Sequence, residues 1–372
     1  MHIPFIDLGR SIAPLENEIL LDWRRCLRAT EFVGGKTVIE LEKRLAQKLG
    51  ANNVIGCSNG TDAIMVGLQA LGIEPGMKVA MPNMTFWATV EAVKLLGAEP
   101  VLIDFDPDDL QMCFDEFKKA YDQFRFEGAI LVHLFGWASE RLHEFRAFCK
   151  ENNIRLLEDS AQAFGVEENN KSILADAEVA TISFYPAKVL GACGDAGAVV
   201  CADSKVAEKV RTLCNHGRAG HYTHDYLGWN ARLGGLQASF LLSMLSRVDE
   251  FIASRKAAMA YYSERFMNRD DIVCYQGPAR FSGNGYLNVF FSKKAYGDQI
   301  VAFMQKNNVG AARTYPQTMD EQPPAKNSPR VSDLKKSKEF SRRVVNLPQF
   351  AGITMRECEI AADVFQKALS ET

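Results

Sequence analysis

One lysine and one aspartate are spaced so that they could work on the same carbonyl. Lys188 lies in TISFYPAKVLGACGDAG, residues 181–197, just past an apolar run holding Ile182 and Phe184 and a turn at Pro186. Gly191, Gly194 and Gly197 follow, allowing tight turns and close approach of the backbone to another group. A lysine on such a loop is ordinarily a solvated surface charge. Where it is desolvated, the ammonium form is disfavoured, and the neutral amine can attack a carbonyl to form a Schiff base. Asp159, in LLEDSAQAFG with Glu158 and Gln162, precedes Lys188 by 29 residues, about one strand–helix–strand unit. A lone carboxylate at a strand end usually serves a backbone N–H, but adjacent strands can bring this one to the lysine.

Two more stretches supply what such a site would need. SNGTD, Ser58–Asp62, ends an apolar run and opens a helix beginning near Ala63. Small residues there leave the first N–H groups free for a phosphate, or Thr61 or Asp62 caps them in the ordinary way. No GxGxxG or Walker lysine pattern occurs, which disfavours a dinucleotide or nucleoside triphosphate. In MPNMTFWATVEAV, Phe86 and Trp87 come directly after a strand; such aromatics are core, or Phe86 offers a flat face to a planar ring. His133, in LVHLFGW, reads as a hydrogen-bonded residue behind the site. An amine, an acid, a phosphate-ready helix start and a stacking ring are the parts that pyridoxal 5′-phosphate requires. The acid keeps the pyridine nitrogen protonated, which makes the ring an electron sink.

The scaffold follows from the pattern of apolar runs. Val54–Cys57, Val79–Met81, Pro100–Phe105, Ala129–Leu134, Ile154–Leu157, Ala180–Phe184 and Ala198–Cys201 read as strands. Ala63–Leu71, Thr89–Leu96, Glu140–Asn152 and Lys205–Cys214 read as helices between them, after Glu16–Arg28 and Val38–Leu49. Alternation of this kind predicts an α/β fold with a mostly parallel sheet and ligands at its carboxyl edge. With 372 residues, one large domain and one smaller one are expected, at 1–245 and 246–372, the second opening on a long amphipathic helix over Leu245–Phe266.

A net charge of −3 gives no basic footprint for nucleic acid or an anionic membrane. No run reaches 18 apolar residues and the N-terminus has no signal-peptide stretch, so a soluble cytoplasmic protein is expected. The nine cysteines are odd in number and widely spaced, with no CxxC. Reduced thiols are expected, with neither a disulfide framework nor a metal site. Cys193, near Lys188, is either a small core filler or a contact of the site.

The chain resembles the sugar aminotransferase family (DegT/DnrJ/StrS), pyridoxal-phosphate enzymes of the aspartate-aminotransferase fold (fold type I). The likeness runs through FIDL, FVGGKTVIELE, SNGTDAI, MPNMTFWATVEAV, EDSAQAFG, SFYPAKVLGACGDAGAVV, HGRAGHY and GWNARLGGLQASF, close over roughly the first two-thirds and looser beyond. It implies a mostly parallel seven-stranded sheet with a smaller C-terminal α+β domain. It also implies Lys188 as Schiff-base lysine and proton shuttle, Asp159 on the pyridinium nitrogen, Gln162 on the ring's hydroxyl side and Phe86 stacked on the ring. Gly60, Thr61 and Ser183 would hold the phosphate. Asn230 would reach the phosphate of a neighbouring subunit, implying a homodimer with shared active sites. The implied reaction is ping-pong, with glutamate as amino donor, pyridoxamine 5′-phosphate as carrier and a nucleotide-linked keto-deoxysugar as acceptor. NARLGGLQAS resembles the 3-keto branch more than the 4-keto branch. Alternatives are another keto substrate, such as a keto-cyclitol, or a homologue that binds the cofactor without catalysis. A dehydratase offshoot carries histidine in place of the lysine, and Lys188 argues against it. Past residue 245 the chain departs from the family. TYPQTMDEQPP puts Asp320 where a histidine usually stands in a segment that lines the sugar-nucleotide pocket, and Gln322–Pro329 reads as an exposed loop.

Overall fold

The computed structural model describes residues 2–372. The seven apolar runs form strands β1 (Asn53–Cys57), β2 (Lys78–Pro82), β3 (Glu99–Ile103), β4 (Gly128–Val132), β5 (Arg155–Asp159), β6 (Val179–Ser183) and β7 (Gly197–Cys201). They make one sheet in the order β1-β7-β6-β5-β4-β2-β3. β7 alone runs against its neighbours, so β1 to β6 all end at the same edge. In this register Val132 lies beside Asp159, and Asp159 beside Thr181. The strands are apolar on both faces because helices cover both. Leu156 belongs to one buried cluster and Leu157 to the other, as the two-residue period of a strand requires.

The free edge of β3 is closed by a stretch expected to be exposed loop. Within Gln322–Pro329 a short turn, Pro323–Ala325, buries Ala325, and the Leu102 N–H donates to the Pro329 carbonyl at 2.9 Å. An open edge would be a template for unwanted pairing, and this segment covers it.

The helix expected over Leu245–Phe266 runs Val248–Phe266, separated by a short break from a preceding helix, Gly235–Leu245. Ser246 sits at the break, and its hydroxyl donates to the Ser243 carbonyl at 2.6 Å, a local bond that competes with helix continuation. A second sheet, β8 (Ile272–Tyr275), β9 (Val289–Ser292) and β10 (Val344–Val345), is antiparallel throughout. It shares a third core with Ala258, Phe266 and Phe365; the last two rings meet edge to face at 5.1 Å. Ile3 is buried in that core, and its N–H bonds the Asn308 carbonyl at 2.9 Å. Among the described residues no helix is long and apolar enough to cross a membrane.

Arg10 ties the N-terminal segment to the last helix, Met355–Glu371. Its Nη1 and Nη2 donate to Glu357 Oε2 and Oε1 at 2.7 and 2.5 Å, while Glu357 also accepts from the Thr354 N–H and hydroxyl at the helix start. The Arg10 hydrogen bonds, opposed by burial, hold the Glu357 carboxyl down at about 2. A carboxylate depressed on folding stabilises above its unfolded value of about 4.3, and that stabilisation fades as pH falls toward 2. Glu357→Gln is therefore expected to lower stability by about 2 kcal/mol at pH 7 and by much less near pH 2.5. Urea melts of both proteins at the two pH values check it; an equal gap at both refutes the assignment.

Candidate active site

The carboxyl edge of the large sheet opens into a cavity of about 790 Å³. The two-residue period decides which carboxylate of β5 faces it. Glu158 points to the far side, where Arg146 Nε and Nη2 donate to it at 2.8 and 2.9 Å and His133 Nε2 lies 3.0 Å away. Burial would raise Glu158, but His133 and Arg146 outweigh it and hold the carboxyl low. His133 is thus a buried partner of Glu158, as its apolar neighbours suggested. Asp159 lines the cavity at 5% exposure, accepting from the Ala161 N–H at 3.0 Å and the Thr89 hydroxyl at 3.3 Å. Burial pushes its carboxyl up, against the pull of the Ala161 N–H and of Lys188. A buried acid in that condition is suited to a cationic partner.

Lys188 lines the same cavity and is half-buried, not sealed away. Its Nζ lies 3.4 Å from the Tyr286 hydroxyl and 5.0 Å from the centre of that ring. Ser183, the last residue of β6, faces Gly60, where an added Cβ would come within 2.8 Å of the Ser183 Cβ. Glycine at 60 is therefore a packing requirement. The helix it opens runs Gly60–Ala70, starting three residues earlier than expected, and its cap is Asn59, not Thr61 or Asp62. Asn59 Oδ1 accepts from the Asp62 N–H at 2.8 Å and the Asn59 carbonyl from the Ala63 N–H. The Gly60 and Thr61 N–H groups have no acceptor among the described residues, and both residues line the cavity. Two free donors at a helix N-terminus make an anion cradle.

Phe86 stands at the rim, 59% exposed, with its ring 6.1 Å from that of Tyr315. Gln162 is held at both ends: its Oε1 accepts from the Phe135 N–H at 2.6 Å, and its Nε2 donates to the Tyr315 hydroxyl at 2.7 Å. The structure thus brings together Lys188, Asp159, Gly60, Thr61, Phe86, Gln162 and Ser183. It does not bring Asn230 to its own chain's cavity. Asn230 is exposed, with Oδ1 accepting from Arg232 Nη2 at 2.7 Å. Cys193 is exposed too, and its thiol donates to Gln237 Oε1 at 2.9 Å.

Tyr315, in the segment expected at the pocket, does line it; Arg255 and Tyr286 are among the lining residues that the sequence did not single out. Arg255 carried a signal. Phe251, Arg255, Ala258 and Tyr262 fall on one buried stripe of their helix, and only one of them is charged. Asp320 does not line the cavity. It closes a network in which Asn83 Nδ2 and the Thr318 hydroxyl donate to Oδ1 at 3.0 and 2.8 Å, and Arg330 and Lys338 donate to Oδ2 at 2.9 and 2.6 Å. Burial opposes its charge, but the Lys338, Thr318 and Asn83 bonds hold the carboxyl low. Asp320→Ala would remove the shared acceptor of Asn83, Thr318 and two partly solvated cations and is expected to cost about 1.5 kcal/mol in denaturant melts. A loss below about 0.5 kcal/mol would show the network to be idle.

The description of the DegT/DnrJ/EryC1/StrS aminotransferase family matches residues 14–365. The chain is 32% identical over 370 residues to the UDP-N-acetyl-3-dehydro-α-D-glucosamine 3-aminotransferase of Acidithiobacillus ferrooxidans, covering 99% of this chain and 98% of that one. It is 38% identical over 260 residues to the UDP-2-acetamido-2-deoxy-3-oxo-D-glucuronate aminotransferase of Pseudomonas aeruginosa, 70% and 72% of the two chains. Its fold matches that of S. venezuelae DesV, solved in complex with a ketimine intermediate, at a TM-score of 0.94 and 27% identity, across 100% and 99% of the chains. Likeness of sequence and fold over nearly the whole length, with a lysine and a buried acid lining one cavity, has one reading: the chain belongs to the DegT/DnrJ/EryC1/StrS family and is an aminotransferase.

Proposed function

We propose that this aminotransferase uses pyridoxal 5′-phosphate to carry an amino group from glutamate to the 3-keto carbon of a nucleotide-linked sugar. The observation that carries the reading is the juxtaposition of Lys188, buried Asp159 and the unpaired N–H groups of Gly60 and Thr61 around one cavity. The 3-keto position is supported by two relatives named for 3-dehydro and 3-oxo sugar nucleotides.

The residues fit the cofactor group by group. Gly60, Thr61 and Ser183 would hold its phosphate, Phe86 would lie against its ring, and Gln162 would stand at the ring's hydroxyl side. Asp159, whose carboxyl burial raises in the absence of a full cationic partner, would hold the ring-nitrogen end. When bound there, the group supplies a carbonyl for amines and an electron-withdrawing ring. Lys188 Nζ would hold it covalently and otherwise carry a proton to and from the reacting carbon. The Tyr286 hydroxyl and ring limit where that Nζ can swing.

Asn230, outside its own cavity, is assigned to a neighbouring subunit's phosphate, which makes the working form a homodimer with shared sites. Exposed apolar surface supports this reading. Tyr222 and Leu227, on the same loop as Asn230, are each 86% exposed, and Phe86 and Tyr185 are exposed at the cavity rim. The nine cysteines are all unpaired, which suits a reducing cytoplasm.

The test is a panel of 3-keto and 4-keto nucleotide sugars, offered with glutamate and the cofactor and read by mass spectrometry of the product. Amination of a 3-keto member first and fastest is expected. Exclusive amination of 4-keto members would overturn the acceptor, and none with any keto sugar would overturn the substrate class.

A further inference from the structure

Asn284, in FSGNGYLNV at 281–289, is fully buried yet does not line the cavity. Its Nδ2 donates to the carbonyls of Gln162 at 2.8 Å and Phe164 at 2.9 Å, and its Oδ1 accepts from the Tyr286 N–H at 2.9 Å. Two of these partners are acceptors and one is a donor, so only this orientation of the amide satisfies all three. The Asn284 N–H adds a bond to the Gly136 carbonyl at 3.1 Å. Glycines make the close approach possible. A Cβ at Gly136 would run into Asn284 Oδ1, and Gly285, at φ +67°, turns the chain between Asn284 and Tyr286. A buried asparagine with every bond made usually just holds loops together. Here the two segments it joins each carry a residue of the cavity, Gln162 on one and Tyr286 on the other.

The placement of Tyr286 bears directly on the amine. Its hydroxyl stands 3.4 Å from Lys188 Nζ, at the outer limit of a hydrogen bond, so a small shift of the tyrosine ends the contact. The four-carbon stem of a lysine is flexible, and this hydroxyl and ring restrict where its nitrogen can go. An amine aimed at a carbonyl reacts faster only while the aim is held. Gln162 is a firm reference point, since its side chain is bonded to the Phe135 N–H and the Tyr315 hydroxyl. We propose that Asn284 is a positioning residue, which fixes the Tyr286 hydroxyl at the Lys188 amine by tying residue 286 to the segment carrying Gln162; this rests on the aminotransferase reading above.

The test mixes the full chain, freed of cofactor, with pyridoxal 5′-phosphate and follows covalent attachment at Lys188 by absorbance, a readout that needs no sugar. Asn284→Ser keeps a short hydroxyl and loses the fork. It is expected to slow attachment about tenfold, and to lower kcat by a similar factor with KM for glutamate unchanged within about 3-fold. Asn284→Asp, the same shape without the two donors, carries the comparison should the serine variant fail to fold. The deciding measurement is the combination with Tyr286→Phe. If Asn284 acts through the Tyr286 hydroxyl, the double variant attaches the cofactor no more than about 2-fold more slowly than the slower single variant. A merely structural asparagine would lower the denaturant midpoint, and its loss would multiply with that of Tyr286→Phe. Multiplied losses, or attachment in both folded Asn284 variants within about 2-fold of wild type, overturn the assignment. Slowed attachment without added loss in the double variant, in a protein that aminates no keto sugar, upholds the positioning role and sinks the substrate class instead.

Discussion

Replacing Lys188 with alanine is expected to abolish turnover while the protein stays folded. The side chain is half-buried, and its Nζ contacts are the Tyr286 hydroxyl at 3.4 Å and the face of that ring. Truncation removes no core packing and breaks no direct ion pair, and it takes from buried Asp159 only the longer-range pull of the ammonium, so stability should move by no more than about 1 kcal/mol. Activity has no such tolerance. Loss of a positioned proton carrier alone costs about 10²–10⁴-fold, and here the covalent anchor goes with it. Rates of amino transfer from glutamate, beside denaturant melts of both proteins, check the two halves of the expectation. Lys188→Ala turning over within tenfold of wild type would remove this lysine from the chemistry.

Asp159→Asn is expected to separate activity from stability in the opposite sense. Asparagine keeps the shape: its Oδ1 can accept from the Ala161 N–H while its Nδ2 donates to the Thr89 hydroxyl oxygen, but it carries no charge. Losing the electrostatic partner of a cationic ring should cost more than about 100-fold in turnover. The cofactor-free protein should gain stability. Burial raises the Asp159 carboxyl, so ionising it costs the folded state above the unfolded value of about 3.9, and that cost vanishes at lower pH where the group is protonated in both states. The apo variant should thus melt above apo wild type at pH 7, and the difference should close as pH approaches 4. A variant that melts lower at pH 7 would mean the buried carboxylate stabilises the empty site.

Much of this arrangement is legible in the sequence because it depends on short-range rules. Strand period alone separates Glu158 from Asp159, and adjacent parallel strands bring Asp159 and Lys188 to one edge, although the expected connecting helix is instead a short ribbon, Glu167–Glu168 with Lys171–Ser172, and a 3-10 turn at Ile173–Asp176. The start of the helix after β1 was misplaced because Asn59 caps it and Gly60 enters the first turn, a choice set by contact with Ser183 more than a hundred residues away. Packing of that range leaves no local mark. Arg255, Tyr286 and Tyr315 reach the cavity only through the way the C-terminal third folds back over the large sheet. Arg255 left one trace, a charge on a buried stripe. Asp320 shows the reverse failure, since a position expected to line the substrate pocket closes an ion network beside Asn83. The loop Gln322–Pro329 reads as exposed from its polar composition, and Lys326 and Asn327 are exposed, but Ala325 and Ser328 are buried and the Pro329 carbonyl closes the edge of β3.

The central claim is that the Lys188 amine is the group that holds the cofactor. The direct measurement is to load the purified protein with pyridoxal 5′-phosphate, reduce it with borohydride, digest it and locate the pyridoxyl group by mass spectrometry. The account predicts the label on the peptide containing Lys188, and its loss when the protein is treated with glutamate before reduction. Label on a different lysine, or a fully loaded protein that yields none, would contradict it.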